Sequence, residues 1–303
     1  MTTPKSPVVF IHGLWLHPAS WQPWIGLFEE AGYEATAPGW PGVPAAVAEA
    51  RAHPERQAGT GIADAVGHYA RIIGSASARP IIIGHSFGGL IAQNLLGRDL
   101  AAAAVAIDPA PVRGLLAVRP AQLRAAFPVL RNPANRNRTV SLTTAQFRYA
   151  LGNAVSGRES AQLHAAWSIP APGRPLFEAL AGLDPGSAAE VDTGNAARGP
   201  LLLISGRRDH VVPDAVTRSA FRRYRHSAAV TDLKRLAGRG HSLTIDSGWR
   251  EVADIVLNWL TAVNRRPAGA RAGDRDRPAR PARESGGWGL YLPEPDGRRS
   301  GSL

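Results

Sequence analysis

Short apolar runs alternate along the chain with longer stretches in which apolar residues recur every three or four positions. The runs predict β-strands, and the longer stretches predict amphipathic helices. The predicted strands are 8–12, 33–38, 80–85, 102–108, 200–206 and 229–236. The clearest predicted helices are 18–31, 60–75 and 248–263. This alternation is typical of an α/β fold, in which helices cover both faces of a mostly parallel sheet.

Two regions interrupt this alternation. Residues 110–198 contain several helical stretches and prolines, and they separate two strands that should be neighbours. We therefore expect a helical cap insertion over the carboxyl ends of the strands. Residues 265–303 are rich in Arg, Pro and Gly and poor in apolar side chains, so we expect a disordered tail. Residues 1–264 are then expected to form one domain that includes the cap.

The net charge of +11 raises the question of a nucleic-acid partner. Nearly all of the basic residues are arginines, and Ala, Gly and Pro are abundant, which is typical of GC-rich coding rather than of a binding surface. No basic helix with interleaved aromatic residues is visible, so we expect no nucleic-acid partner. The chain has no cysteine, which excludes disulfides and thiolate metal sites.

The first apolar run is only four residues long, which is too short for a signal-peptide core. The longest later run, LAAAAVAI at 100–107, is far shorter than the roughly 20 residues of a membrane-spanning helix. We therefore expect a cytoplasmic protein that does not insert into membranes. The sequence leaves the oligomeric state open.

A candidate nucleophile lies in the sequence IIIGHSFGGL at 81–90. Ser86 stands between a predicted buried strand and a predicted helix, with Gly84 and Gly88 two residues away on either side. A serine on such a sharp turn has a strained backbone, and the residues two before and two after it must be small. The N-terminus of the helix points its dipole at the serine oxygen. The pattern predicts that Ser86 is a catalytic nucleophile.

A serine hydroxyl needs a neutral histidine to accept its proton. His241 follows the last predicted strand in a glycine-flanked loop, GRGHS, which should lie at the same sheet edge as Ser86. Other histidines, including His85 beside the nucleophile, are less well placed, and His12 is interpreted as a brace for the loop after its strand. The two Gly-His-Ser sequences therefore contribute different residues, and Ser242 is interpreted as a loop-stabilising hydroxyl.

Two aspartates are candidates for the carboxylate that orients this histidine. Asp209 ends the strongly apolar segment LLLISGRRD, and Asp108 ends the segment AVAID. A carboxylate at either strand end could reach His241. Asp209 is favoured, because it gives the chain order Ser, Asp, His that is typical of a nucleophile on a strand-to-helix turn. Asp108 remains the alternative acid.

These motifs resemble those of the α/β-hydrolase superfamily, in particular small bacterial serine hydrolases such as carboxylesterases, lysophospholipase-like enzymes and cofactor-free haloperoxidase-type proteins. The resemblance covers about 6–264. It is carried by FIHGLW at 10–15, GHSFGG at 84–89, GRRDHVVP at 206–213 and GHS at 240–242. It implies an oxyanion hole formed by the backbone N–H groups of Leu14 and Phe87. We expect no cofactor and no metal, because the mechanism needs no ion and the sequence contains no evident cluster of metal ligands.

A serine nucleophile implies an acyl-enzyme intermediate, and hence hydrolysis of a carboxylic ester or thioester. Aromatic residues near the motifs and in the cap predict a pocket for an apolar or aromatic small molecule. The predicted lining residues are Trp15, Trp40, Phe127, Phe147 and Trp167. Two alternatives remain open. One is perhydrolysis of the haloperoxidase type with the same triad, and the other is a ligand-binding protein with little turnover.

Overall fold

Six parallel strands form the central sheet. The computed structural model describes residues 6–114, 119–180 and 189–265. The strands are β1 Val8–Ile11, β2 Ala35–Thr36, β3 Ile81–His85, β4 Ala103–Ile107, β5 Thr139–Val140, β6 Ala171–Pro172, β7 Leu201–Gly206 and β8 Thr231–Leu236. The sheet has the order β2-β1-β3-β4-β7-β8, and β5 pairs separately with β6. All six predicted strands are therefore present, and the predicted α/β fold is confirmed.

The burial of each strand explains its composition. Every residue of β1, β3, β4 and β7 is buried, which accounts for their uninterrupted apolar runs. At one edge, β8 exposes its charged side chains Lys234 and Arg235. At the other edge, β2 has only two residues instead of the predicted 33–38. The chain leaves β1 after Thr36, and the carbonyl of Pro38 accepts a hydrogen bond from Tyr69.

Helices cover both faces of this sheet. The helices are α1 Gln22–Glu30, α2 Val47–Ala52, α3 Ile62–Gly74, α4 Phe87–Gly97, α5 Pro120–Leu130, α6 Thr144–Ala150, α7 Gly157–Trp167, α8 Arg174–Leu180, α9 Asp214–Arg223 and α10 Trp249–Asn264. Successive strand residues point to opposite faces. Val8 and Phe10 therefore pack in one core with α1 and α10, while Val9 and Ile11 pack in the other with α3 and α4. The predicted helix 18–31 begins as a 3-10 turn at Pro18–Trp21.

The described part of 110–198 is mainly helical. It contains α5, α6, α7 and α8 together with the two-residue strands β5 and β6, which pair antiparallel. The segment leaves the sheet after β4 and returns to it at β7, so it is inserted between neighbouring strands. The predicted tail, apart from Arg265, lies outside the described residues. Among the helices that the structure describes, none is both long and apolar enough to cross a membrane.

Candidate active site

Ser86 lies on a sharp turn between β3 and α4. Its backbone φ of 57° and ψ of −120° place it in a region that non-glycine residues rarely adopt. The chain passes so closely here that a Cβ on Gly84 would lie 2.0 Å from the Gly88 carbonyl oxygen. A Cβ on Gly88 would lie 2.2 Å from the carbonyl oxygen of Ile11. Both glycines are therefore needed to hold the Ser86 turn against the end of β1.

His241 and Asp209 are directly hydrogen-bonded. His241 lies in the loop after β8, and its Nδ1 is 2.6 Å from Oδ2 of Asp209, which lies in the loop after β7. The other oxygen of Asp209, Oδ1, accepts hydrogen bonds from the backbone N–H groups of Val211 at 2.6 Å and Val212 at 2.9 Å. Because Nδ1 faces a carboxylate, the neutral ring carries its proton there. Nε2 is then the free acceptor of the imidazole.

Burial determines the protonation of this pair. It lowers the pKa of His241 to about 4, because the charged ring would be desolvated. It raises the pKa of Asp209 to about 7, against the opposing effect of hydrogen bonds from Val212, Asp108 and Val211. The imidazole is therefore neutral at neutral pH, and a neutral imidazole is the form that can accept a proton.

His85 supports His241 from below, a contact that the sequence analysis missed. Its Nε2–H donates to the backbone carbonyl of His241 at 2.9 Å, and the two ring centroids are 4.5 Å apart. Burial lowers the pKa of His85 well below its usual range, so this ring is also neutral. No sequence pattern marks the contact, because it joins residues 156 positions apart.

Asp108, the alternative acid, lies beside the pair but does not bond to the histidine ring. Its Oδ1 accepts a hydrogen bond of 2.7 Å from the Gly206 backbone N–H, and its φ is 41°. The structure places Asp209, not Asp108, on His241 Nδ1. Asp108, Asp209 and His241 form the one described group in which three potential metal ligands converge. Asp209 and His241 are hydrogen-bonded to each other in this group, so we assign no metal to it. The expected absence of a metal and of a cofactor stays a prediction.

The residues of the predicted oxyanion hole lie close to Ser86. Phe87 is the first residue of α4, so its N–H has no partner within the helix. Leu14 is buried in the loop after β1. A Cβ on Gly13 would lie 2.7 Å from Cβ of Ser86, so this loop packs directly against Ser86. The pairing of these two N–H groups in one oxyanion hole stays a prediction.

The cap holds this loop in place through Trp15. The backbone of Trp15 has a φ of 64°, which is strained for an aromatic residue. Its indole Nε1–H donates to the Val140 carbonyl at 3.1 Å, and its own carbonyl accepts the Ile169 N–H at 3.1 Å. The backbone N–H of His17 donates to the Trp167 carbonyl at 3.0 Å. These contacts connect the cap to the loop that carries Leu14.

A cavity opens at Ser86 between the sheet and the cap. Its described lining is almost entirely apolar and has no charged side chain. The lining residues are Trp15, Ser86, Phe87, Ala110, Pro111, Gln122, Leu123, Ala125, Ala126, Leu130, Leu176, Ala179, Leu180, Val211 and Val212. Gln122 is the one polar side chain besides Ser86, the indole N–H of Trp15 being bonded elsewhere. Helices α5 and α8 supply most of the aliphatic wall.

The structure corrects four of the five predicted pocket residues, because only Trp15 lines this cavity. Trp40 is buried against the first strand, where its indole donates to the His12 carbonyl at 3.1 Å. Phe147 is buried against His164, and Trp167, the last residue of α7, is half-buried and does not line the cavity. Phe127 is 61% exposed, because it projects from α5 to the outside. The spacing of apolar residues along a helix does not show which side of that helix faces Ser86.

The remaining motif residues have structural contacts. The hydroxyl of Ser242, from the second Gly-His-Ser, donates to Oδ2 of Asp246 at 2.8 Å inside the loop. His12 Nδ1–H donates to the Gly13 carbonyl at 2.9 Å, and its Nε2 accepts the Trp40 N–H at 3.3 Å. Both residues therefore stabilise loops that carry site residues.

Comparisons with known proteins agree with this architecture. The family model described as "Alpha/beta hydrolase family" matches residues 8–255. A monoacylglycerol lipase from Paleococcus ferrophilus has a similar structure, with a TM-score of 0.60, 20% identity, and coverage of 85% of this chain and 96% of the lipase. A sequence comparison with curated proteins gives no significant match.

Two further solved structures have the same fold. The Arabidopsis methylesterase MES16 has a TM-score of 0.58 and 16% identity, with coverage of 85% of this chain and all of the methylesterase. The enol-lactonase of Burkholderia xenovorans LB400 has a TM-score of 0.60 and 16% identity, with coverage of 85% and 92%. At these identities the likeness concerns the fold. Because the family model matches most of its length, the chain belongs to the alpha/beta hydrolase family.

Proposed function

We propose that the protein is a serine hydrolase that cleaves carboxylic esters of apolar small molecules through an acyl-enzyme intermediate. The observation that carries the proposal is the Asp209–His241 hydrogen bond of 2.6 Å at the same sheet edge as the strained Ser86 turn. A nucleophile, a neutral base and an orienting carboxylate are the three groups that acyl transfer needs. Ester hydrolysis is also the reaction named for the lipase, methylesterase and lactonase of the same fold.

The reaction begins when Ser86 Oγ attacks the ester carbonyl carbon and its proton passes to His241 Nε2. The carbonyl oxygen becomes an oxyanion, which the N–H groups of Leu14 and Phe87 stabilise. His241 then gives the proton to the departing alkoxide, which leaves as an alcohol. A water molecule attacks the acyl-enzyme, His241 takes the water proton and returns it to Ser86, and the carboxylic acid is released.

The described lining indicates the substrate class. Aliphatic side chains from α5 and α8, together with Val211 and Val212, form a wall without charge. Burying a charged group against such a wall would be costly, so the group that binds there is apolar. Trp15 and Phe87 add aromatic contacts close to the nucleophile. An uncharged aliphatic acyl or alcohol group fits this surface better than an ionised one.

A panel of uncharged p-nitrophenyl esters with acyl chains of graded length tests the proposal. We expect turnover that Ser86→Ala abolishes, and covalent labelling of Ser86 by a fluorophosphonate, mapped by mass spectrometry. Adding peroxide and a halide to the same assay tests the perhydrolysis alternative, in which peroxide instead of water attacks the acyl-enzyme and halide is then oxidised. Labelling at a different serine, or esterase activity that survives Ser86→Ala, would disprove the assignment.

A further inference from the structure

A second buried carboxyl adjoins the Asp209–His241 pair. Asp108, Asp209 and His241 follow the adjacent strands β4, β7 and β8, so they meet at one edge of the sheet. One carboxylate oxygen from each aspartate and one ring nitrogen of His241 all lie within 4.8 Å of one another. The side chains are buried, and Asp108 is completely inaccessible. Two carboxylates in such a place repel each other strongly when both are ionised.

The hydrogen bonds show which carboxyl lacks a donor. Asp209 receives the His241 ring N–H and two backbone N–H groups. Asp108 receives one N–H, from Gly206 on its Oδ1, while its Oδ2 is buried with no donor among the described residues. The side chains of Asp108 and Asp209 lie within hydrogen-bonding reach of each other. Two acceptor groups in contact are satisfied only when one of them carries a proton.

We propose that Asp108 is a positioning residue, a neutral carboxylic acid whose Oδ2–H donates to the Asp209 carboxylate. This proposal rests on the proposed roles of Asp209 and His241. The two carboxyls then share a single negative charge, which stays on Asp209. The added hydrogen bond restricts rotation of the Asp209 carboxylate, so that Oδ2 stays directed at His241 Nδ1. Asp108 does not touch the substrate and acts through Asp209.

The surroundings of Asp108 favour the neutral form. The titratable groups that face it are Asp209 and His241, and His85, which packs on His241, is neutral as well. Burial, followed by the Asp209 charge, raises the pKa of Asp108 well above its usual range. The interaction with His241 and the hydrogen bond from Gly206 act in the opposite direction and lower the pKa of Asp108, but they are outweighed. The φ of 41° at Asp108 places the carboxyl under Gly206 and is one that Asp and Asn tolerate better than most residues.

Two substitutions at Asp108 distinguish the effect of its hydrogen bond to Asp209 from the effect of a negative charge at this position. Asp108→Asn keeps a neutral donor toward Asp209 and an acceptor for Gly206, and Asn tolerates the backbone conformation. Asp108→Gly tolerates the backbone but removes the donor. We expect Asp108→Asn to keep kcat within about threefold, with an unchanged pH profile, and Asp108→Gly to lower kcat about tenfold to a hundredfold with little change in KM.

Infrared spectroscopy tests whether the Asp108 carboxyl is protonated, without any activity assay. At pH 8, where Asp209 with its pKa of about 7 is ionised, the full-length protein should still show the C=O stretching band of a protonated carboxylic acid, and Asp108→Asn should remove it. Asp214→Asn is the matched control and should leave the band, because the arginine partners of Asp214 hold its pKa below the usual range. The NMR signal of the His241 Nδ1 proton should persist in Asp108→Asn and broaden or shift in Asp108→Gly.

These measurements test the protonation of Asp108 separately from the proposed ester hydrolysis. If the esters are not hydrolysed, the infrared band and the NMR signal still report the proton on Asp108. Absence of the band in the wild type would overturn the proposal. A fall of about one unit in the apparent pKa of the acid limb in Asp108→Asn would do so too, because it would reveal a lost negative charge. Equal kcat in Asp108→Gly and Asp108→Asn would show that the hydrogen bond from residue 108 to Asp209 has no effect on turnover, which would contradict the positioning role.

Discussion

Nδ1 of His241 lies 2.6 Å from Oδ2 of Asp209, although the two residues lie in loops after different strands. Among the described residues this is the one carboxylate that bonds to the ring, so it determines which nitrogen carries the proton. Asp209→Asn should therefore lower kcat by about 10⁴, because an amide can stabilise the wrong tautomer and cannot stabilise the imidazolium. Steady-state kinetics with circular dichroism as the folding check measures this. If Asp108→Asn were equally damaging, Asp108 would share the role of the acid.

The two Gly-His-Ser copies provide a matched pair of serine variants. Ser86→Ala should lower kcat by about 10⁴ to 10⁶ without affecting the fold. Ser242→Ala should instead cost about 1–3 kcal/mol of stability, because it removes the hydroxyl that donates to the buried Oδ2 of Asp246, while fluorophosphonate labelling continues. Thermal melts and labelling of both variants measure this. Loss of labelling in a folded Ser242→Ala protein would contradict the assignment of the first copy.

The pH dependence follows from the opposite pKa shifts of the pair. Burial lowers the pKa of His241 to about 4 and raises that of Asp209 to about 7. The active form has a neutral ring and an ionised carboxylate, so protonation of either group inactivates it. We expect kcat/KM for an uncharged ester to rise with pH through a limb between about 4 and 7 and then to level off. A profile that is flat from pH 4 to 8 would exclude a histidine-activated serine.

The cap helix α5 should set the length of the accepted chain. Ala126 on this helix lines the cavity, and Ala121 on the same helix is also half-buried but does not line it. Ala126→Phe should fill part of the apolar space and lower kcat/KM for long-chain esters about tenfold or more relative to short ones. Ala121→Phe is the control and should leave this ratio unchanged. A panel of acyl esters measures both, and equal effects of the two variants would place the acyl group elsewhere.

The neutral state of Asp108 also predicts how stability depends on pH. A raised pKa in the folded state means that folding takes up a proton, so the wild type loses stability as the pH rises above the unfolded value of about 3.9. Asparagine does not titrate. The stability of Asp108→Asn relative to the wild type should therefore increase by about 1.4 kcal/mol per pH unit, up to the pKa of Asp108 in the folded protein. Urea unfolding at pH 5, 6, 7 and 8 measures this, and a constant difference would contradict a neutral Asp108.

Much of the fold could be predicted because its signals are local. The apolar runs at 80–85 and 200–206 are long and lie in strands that are buried on both faces, so their composition identifies them. The edge segment 33–38 was predicted too long, because pairing at an edge depends on where the neighbouring strand ends. The helical insertion between β4 and β7 could be predicted from its length and its position between strands; its role as a cap stays a prediction. The orientation of its helices could not be predicted, so Phe127 was wrongly assigned to the pocket, although it projects to solvent.

For the site, the sequence predicts a candidate nucleophile at Ser86, because the strand, the two glycines and the helix that form its turn are adjacent in the chain. It also narrowed the base and the acid to a few residues at strand ends. The choice between Asp209 and Asp108 required the tertiary structure, because both follow parallel strands at the same edge of the sheet and, of the two, Asp209 is the one hydrogen-bonded to His241. Tertiary packing likewise placed His85 under His241 and lined the cavity with aliphatic residues of α5 and α8. Those contacts join distant parts of the chain, and no local pattern records them.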